Sequence, residues 1–274
     1  MPDVWSMVSR LDAATQERLA DVLETRGADA QQQRMRDAFL ADVGFPAGAR
    51  VLDVGCGTGV LTRRLARRPG VASVVGVDVA PSLLERARSL CSALPGVVFE
   101  DGDATALPFD DASFDVLVLD STLSHVPDAE RAVAEAARVL RPNGVLAVFD
   151  GDYATTTVAL GEHDPLQTCV EAMVNGSVTD RWLMRRLPAI VRGCGFDVTR
   201  YASHGYVETD EAEYLLTVID RGADALGSAG VAGPELVAAL KVEAQRRVDA
   251  GAFFGQIVYT SLVARPTRRA GPWG

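Results

Sequence analysis

The chain predicts an α/β fold built on a largely parallel sheet, and three features carry that prediction. Short apolar runs at 51–54, 71–78, 97–99, 114–120 and 145–149 alternate with amphipathic stretches of helical period. The first run enters a glycine loop, VLDVGCGTG at 51–59, and the next stretch, LTRRLARR, places Leu61 and Leu65 on one face and arginines on the others. Two of the runs end in an acid, Asp78 and Asp120, followed by loop or helix-start residues, as parallel strands end when their carboxyl edge faces a ligand crevice.

Before the first strand, apolar spacing over Leu11 to Leu23 and Gln31 to Val43 predicts two helices, with Gly27 interrupting them. In the loop that follows, Gly55, Gly57 and Gly59 alternate, which lets backbone adopt positive φ and lets a ligand approach the main chain. A dinucleotide fingerprint needs glycine at the sixth position, where Val60 stands, and no Lys-Ser/Thr pair follows to make a phosphate loop. Strand two ends at Asp78, with a helix starting around Pro81 and Ser82, and an acid about 20 residues beyond a glycine loop is placed to accept hydrogen bonds from ribose hydroxyls. Its bland alternative is an acid that only complements the helix dipole.

Asp103 and Ala104 fall in the loop after strand three, and strand four, FDVLVLD, ends at Asp120. Ser121 to His125 form the next loop, on the predicted reactive rim. DAERAVAEAARVLRPNGVLAVFD supplies a helix, a turn at Pro142-Asn143-Gly144 and a fifth strand from Val145 to Phe149. Past Asp150 the period weakens. LMRRLPAIVRGCGFDVTRYASHGYVE then reads as helix, turn at 193–195 and sixth strand; 210–226 and 233–251 read as two amphipathic helices and 252–265 as a last strand whose direction periodicity does not give.

An acid two residues before a GxGxG loop, Asp53 before Gly55, resembles motif I of the class I S-adenosylmethionine-dependent methyltransferases, in particular a branch acting on quinones, sterols and natural products. The LPFDDASFDVL approach to strand four and the helix–RPNG–strand unit resemble the same family, so the likeness spans residues 50–150. It implies a Rossmann-like seven-stranded sheet with its final strand antiparallel beside the fifth and sixth, N-terminal helices and a helical substrate cap. The corresponding boundaries are cover helices at 1–45, an S-adenosylmethionine-binding core at 46–152, the remaining sheet with cap helices at 153–250, and the last strand and tail at 251–274.

The resemblance further implies that Asp53, Gly55, Cys56, Gly57 and Gly59 wrap the methionine part of the cofactor and that Asp78 and Val79 meet its ribose. It implies also that Asp103 and Ala104 meet its adenine and that Asp120, Ser121 and His125 border the methyl group. QQQRM at 31–35 offers Arg34 for the methionine carboxylate, against the alternative of a solvated helix face. A general base for the acceptor would come from His125, or from Asp152 or Tyr153 after strand five, beside Asp150; each also has a purely structural reading.

Composition bounds the remaining classes. With 27 Lys and Arg against 37 Asp and Glu, the net charge of −10 disfavours nucleic acid, and DSTLSH stands where nucleic-acid amine methyltransferases carry an NPPY-like motif. Cys56, Cys91, Cys169 and Cys194 make no CxxC pair, so no metal or disulfide framework is expected, and Cys56 reads as a small turn residue rather than a nucleophile. No apolar run approaches a membrane span and the N-terminus lacks a signal-peptide core, so a cytoplasmic location is expected. The expected partner is a small-molecule acceptor; a homodimer stays open, and RPTRRAGPWG at 265–274 reads as a frayed tail.

Overall fold

The computed structural model describes residues 3–5, 7–210 and 212–267. Two helices, α1 (Ala13–Ala28) and α2 (Ala30–Asp42), precede β1 (Ala49–Val54), α3 (Val60–Leu65), β2 (Val71–Asp78), α4 (Pro81–Leu90), β3 (Val97–Asp101) and β4 (Phe114–Asp120). Then come α5 (Ala129–Val139), β5 (Leu140–Thr157), α6 (Pro165–Ser177), α7 (Leu183–Gly193), β6 (Phe196–Glu208), α8 (Glu213–Ser228), α9 (Pro234–Asp249) and β7 (Gly255–Pro266). The strands form one sheet in the order β3-β2-β1-β4-β5-β7-β6. Strands β1 to β5 pair in parallel, and β7 runs antiparallel to both β5 and β6.

Both faces of the sheet are covered, and the side-chain alternation of the strands divides the core accordingly. Val51, Val116, Val118 and Val145 pack with α2, α3, α6 and α8 on one side. Leu52, Leu117, Leu119 and Leu146 pack with α5 and α7 on the other. The reversal of strand order on either side of β1 and β4 opens a crevice at their carboxyl ends, which is where parallel sheets bind ligands.

Three expectations are corrected. Gly27 does not interrupt the N-terminal helices: α1 runs through it and breaks at Asp29, which leaves helical backbone (ψ 129°) and caps α2 by accepting from Gln32 N at 2.7 Å. The turn expected at 142–144 is instead a bulge within β5, where the partner register jumps from Phe114–Leu140 to Val116–Val145. Strand β5 then continues to Thr157 because β7 pairs with it as far as Gln256, so Asp150, Asp152 and Tyr153 lie on a strand rather than on a loop after one.

The stretch without a clear period contains α6, whose start is written locally: Asp164 accepts from Leu166 N at 3.1 Å and Pro165 opens the helix. Helix α6 packs so closely on α8 that a Cβ on Gly222 would meet Cys169 O at 1.8 Å. The segment before α1 folds back over α4, with Val8 buried among Leu19, Ala20, Ala80 and Leu83. Most of the basic tail, at 268–274, lies outside the described residues.

Candidate active site

At the carboxyl ends of β1, β2 and β4 the glycine loop turns without side chains in its path. Gly55 holds φ 71°, and a Cβ there would stand 2.3 Å from Thr122 Cγ2, so both backbone and space require glycine. The loop and its neighbours enclose a cavity of about 280 Å³.

Each carboxylate around it is held. Asp78, buried at the end of β2, accepts from Gly57 N at 2.8 Å and from Ala80 N at 3.0 Å, one bond per oxygen. Burial pushes its pKa up, against the pull of the Gly57 and Ala80 N–H groups. Asp53, fully buried beneath the loop, accepts from Thr62 Oγ1 at 2.5 Å, and burial raises its pKa to about 7. Asp120 is engaged by Arg36, with Nε to Oδ2 at 2.5 Å, and both side chains are more than nine-tenths buried. Burial also raises the Cys56 thiol well above its ordinary range, which suits an inert turn residue.

Ser121, just past β4, sits at φ 54°, an unusual conformation for a side-chain-bearing residue, with its N–H fixed on Phe149 O at 2.7 Å. The turn carries the chain to His125, whose Nδ1 lies 2.8 Å from Asp3 Oδ2. Asp3 also accepts from Thr179 N and Thr179 Oγ1, each at 3.0 Å. This pairing puts the neutral ring's proton on Nδ1, and Nε2 makes no hydrogen bond among the described residues.

Of the residues expected from the sequence, Asp53, Gly55, Cys56, Gly57, Asp78, Val79, Asp103, Ala104, Asp120, Ser121 and His125 all line this cavity. Gly59 does not line it; at φ 80° it starts α3 behind the loop. Arg34 is exposed and does not reach the cavity, because Arg34 and Arg36 lie about 200° apart around a helix and the sheet faces Arg36. Asp152 is tied to Arg185 at 2.7 Å and lies outside the cavity. Tyr153 lines a second, smaller cavity of about 20 Å³, together with Met173, Val178, Tyr214 and Arg221.

The two cavities share Trp5, Arg26 and His125. Sequence reasoning missed Arg26, Arg36, Trp5 and Asp3. Helical period held a signal for Arg36: Gln32, Met35, Arg36, Phe39 and Leu40 are all buried at three- and four-residue spacing, so Arg36 falls inside the inward stripe. Nothing local marks Trp5 or Asp3, which arrive through the folding back of the chain end.

A sequence profile of the methyltransferase domain matches residues 52–148. The methyltransferase GfsG of Streptomyces halstedii is 33% identical over 205 residues, covering 73% of this chain and 71% of that protein. The chain belongs to the class I S-adenosylmethionine-dependent methyltransferases. A further methyltransferase similar to it, the 27-O-demethylrifamycin SV methyltransferase of Amycolatopsis mediterranei (strain S699), is 40% identical over 120 residues, covering 43% of this chain and 44% of that protein. Among solved structures, the [4+2]-cyclase SpnF matches with a TM-score of 0.61 and 24% identity over 97% of this chain and 98% of that one, a likeness of fold.

The cofactor of this methyltransferase is S-adenosylmethionine, and the cavity's own features suit it. A side-chain-free bend that no Cβ could enter, a buried acid on the loop N–H and a buried guanidinium fit a ligand that joins an amino acid to a nucleoside. No helix among the described residues is long and apolar enough to cross a membrane.

Proposed function

We propose that this methyltransferase methylates a small-molecule acceptor of natural-product or quinone type, with His125 removing the acceptor's proton and Asp3 fixing the imidazole. The observation that carries the proposal is that His125 stands in the wall common to both cavities with Nδ1 on Asp3, which leaves Nε2 as the basic atom. The larger cavity takes the cofactor and the smaller one the acceptor.

In this reading Gly55 and Gly57 receive the methionine part, Arg36 faces its carboxylate, Asp78 supports the ribose through its remaining lone pairs, and Asp103 and Ala104 border the adenine. Bound there, the cofactor supplies an electrophilic methyl group with a neutral thioether as leaving group. The chain's task is to align the acceptor, since positioning alone lowers such barriers by several kcal/mol, and to hold water out with Trp5, Val8 and Leu23. Asp3 acts through His125: it fixes the ring tautomer and steadies the imidazolium that forms on proton transfer.

A second reading is favoured by one observation, the fold likeness to a cyclase along nearly the whole chain: the scaffold would hold cofactor and catalyse a rearrangement without consuming it. Incubation with S-adenosylmethionine and a panel of phenolic, quinol and macrolide acceptors, followed by mass spectrometry, separates the two. Stoichiometric S-adenosylhomocysteine and a product heavier by one methylene supports methyl transfer; a product of unchanged mass with cofactor intact contradicts it.

A further inference from the structure

Arg26 rises from α1 into the wall between the two cavities and is only 8% exposed. The groups it touches are neutral, with Nη2 donating to Ser121 Oγ at 3.3 Å and to Tyr259 Oη at 3.2 Å and the guanidinium 5.2 Å from the Tyr214 ring centroid, and the Asp120 carboxylate acts on it only from beyond Ser121. Its Nε, also buried, has no hydrogen-bond partner among the described residues. Across the smaller cavity stands Arg221 of α8, held by Ser177 Oγ at 2.9 Å.

Among the described residues neither arginine forms an ion pair with a carboxylate. The nearby acids are committed elsewhere: Asp120 to Arg36, Asp3 to His125 and Thr179, Asp150 to Ser124 and Gly151 N. Burial lowers the Arg221 pKa, the Arg26 charge acts in the same direction, and Tyr214 and Asp3 offset part of it. Two cations facing one small cavity are costly unless an anion completes them. Beside His125 and Ser177, the lining includes Trp5, Tyr153, Tyr214, Met173 and Val178, a largely aromatic and apolar surface for a flat body.

We propose that Arg26 and Arg221 form an anion subsite in the acceptor cavity, so that the acceptor is an organic anion, a carboxylate or an ionised acidic hydroxyl on an apolar body. The inference rests on the reading of the smaller cavity as the acceptor side. Arg26 also borders the cofactor cavity, so the same chemistry could be met by the cofactor's carboxylate; Arg221 does not border it.

The test is calorimetric titration of the protein, saturated with S-adenosylhomocysteine, with benzoate and with its neutral isostere benzamide. Benzoate is expected to bind at least about tenfold more tightly. In Arg221→Gln that preference falls below about threefold while S-adenosylhomocysteine affinity stays within about twofold of wild type, and Arg221→Lys restores part of it. Absence of any preference for benzoate, including binding of neither probe, overturns the subsite, as does a preference that survives Arg221→Gln.

If Arg26→Gln weakens S-adenosylhomocysteine tenfold but leaves methylthioadenosine unaffected, and Arg221→Gln changes nothing, the anion is the cofactor's and the acceptor assignment is overturned. A wild-type protein that binds no S-adenosylhomocysteine overturns this inference and the proposed function together; binding of it without anion preference overturns this inference alone.

Discussion

The two halves of the crevice are built differently. The half proposed for the cofactor lies at the ends of parallel strands, in a cavity of about 280 Å³ lined by the glycine-loop backbone and by the carboxylates of Asp53, Asp78, Asp103 and Asp120. The half proposed for the acceptor lies where β5, α6 and α8 meet the N-terminal segment, and its cavity of about 20 Å³ is walled by long side chains, with room for about one water as it stands. A pocket made of backbone is fixed by the fold, whereas one walled by arginine, tyrosine and methionine depends on side chains with several rotamers. The contrast predicts that substitutions in the first half act on cofactor affinity and stability, and those in the second on turnover.

The largest effect is expected from the acid buried beneath the loop. Asp53 is raised from 3.8 to about 7, so between those values the folded protein holds a proton that the unfolded chain has released, and stability falls as pH rises through that window. At about 1.4 kcal/mol per pH unit the loss is about 4 kcal/mol. Asp53→Asn, which keeps an acceptor for Thr62 but cannot ionise, should shrink the drop in denaturation free energy between pH 4 and 8 by that order; an unchanged drop would remove Asp53 as its source.

Gly55→Ala comes next, because its Cβ has no space beside Thr122. The affinity for S-adenosylhomocysteine should fall at least about 100-fold by calorimetry, about 2.7 kcal/mol, and a wild-type affinity would mean that the bend does not contact the ligand.

Two predictions separate the halves. His125→Ala should lower the turnover rate by about 10²-fold with S-adenosylhomocysteine affinity nearly kept, whereas Asp78→Ala should weaken that affinity about tenfold. Part of the Asp78 effect acts through the loop, since Gly57 N loses its acceptor. If His125→Ala costs affinity instead of rate, the residue belongs to the cofactor half.

The smallest effect is expected at Asp3. Asp3→Asn should lower kcat a few-fold and displace the pH profile of kcat while KM for cofactor holds; an unmoved profile would reduce Asp3 to an anchor for the N-terminal segment.

The same contrast sets what the sequence discloses. Strand, bare loop, helix and terminal acid are contiguous in the chain, so Asp53, Gly55, Gly57, Asp78 and Asp120 stand out by spacing alone. Strand β7 was expected, yet its direction follows from pairing with β5 and β6, which no local period records. Helical period does distinguish Arg36 from Arg34, because Arg36 shares the buried stripe of Met35 and Phe39. Asp3, more than a hundred residues from His125, and Arg221, nearly two hundred from Arg26, meet only after folding. Their neighbourhoods are properties of tertiary structure that spacing cannot carry.

The most direct test is a crystal structure of the chain with S-adenosylhomocysteine. The account predicts the nucleoside between Asp78 and Ala104, the amino-acid part on the Gly55–Gly57 bend, and the sulfur facing the wall shared by Trp5, Arg26 and His125. A ligand whose sulfur points away from His125, or one bound outside the glycine loop, would contradict it.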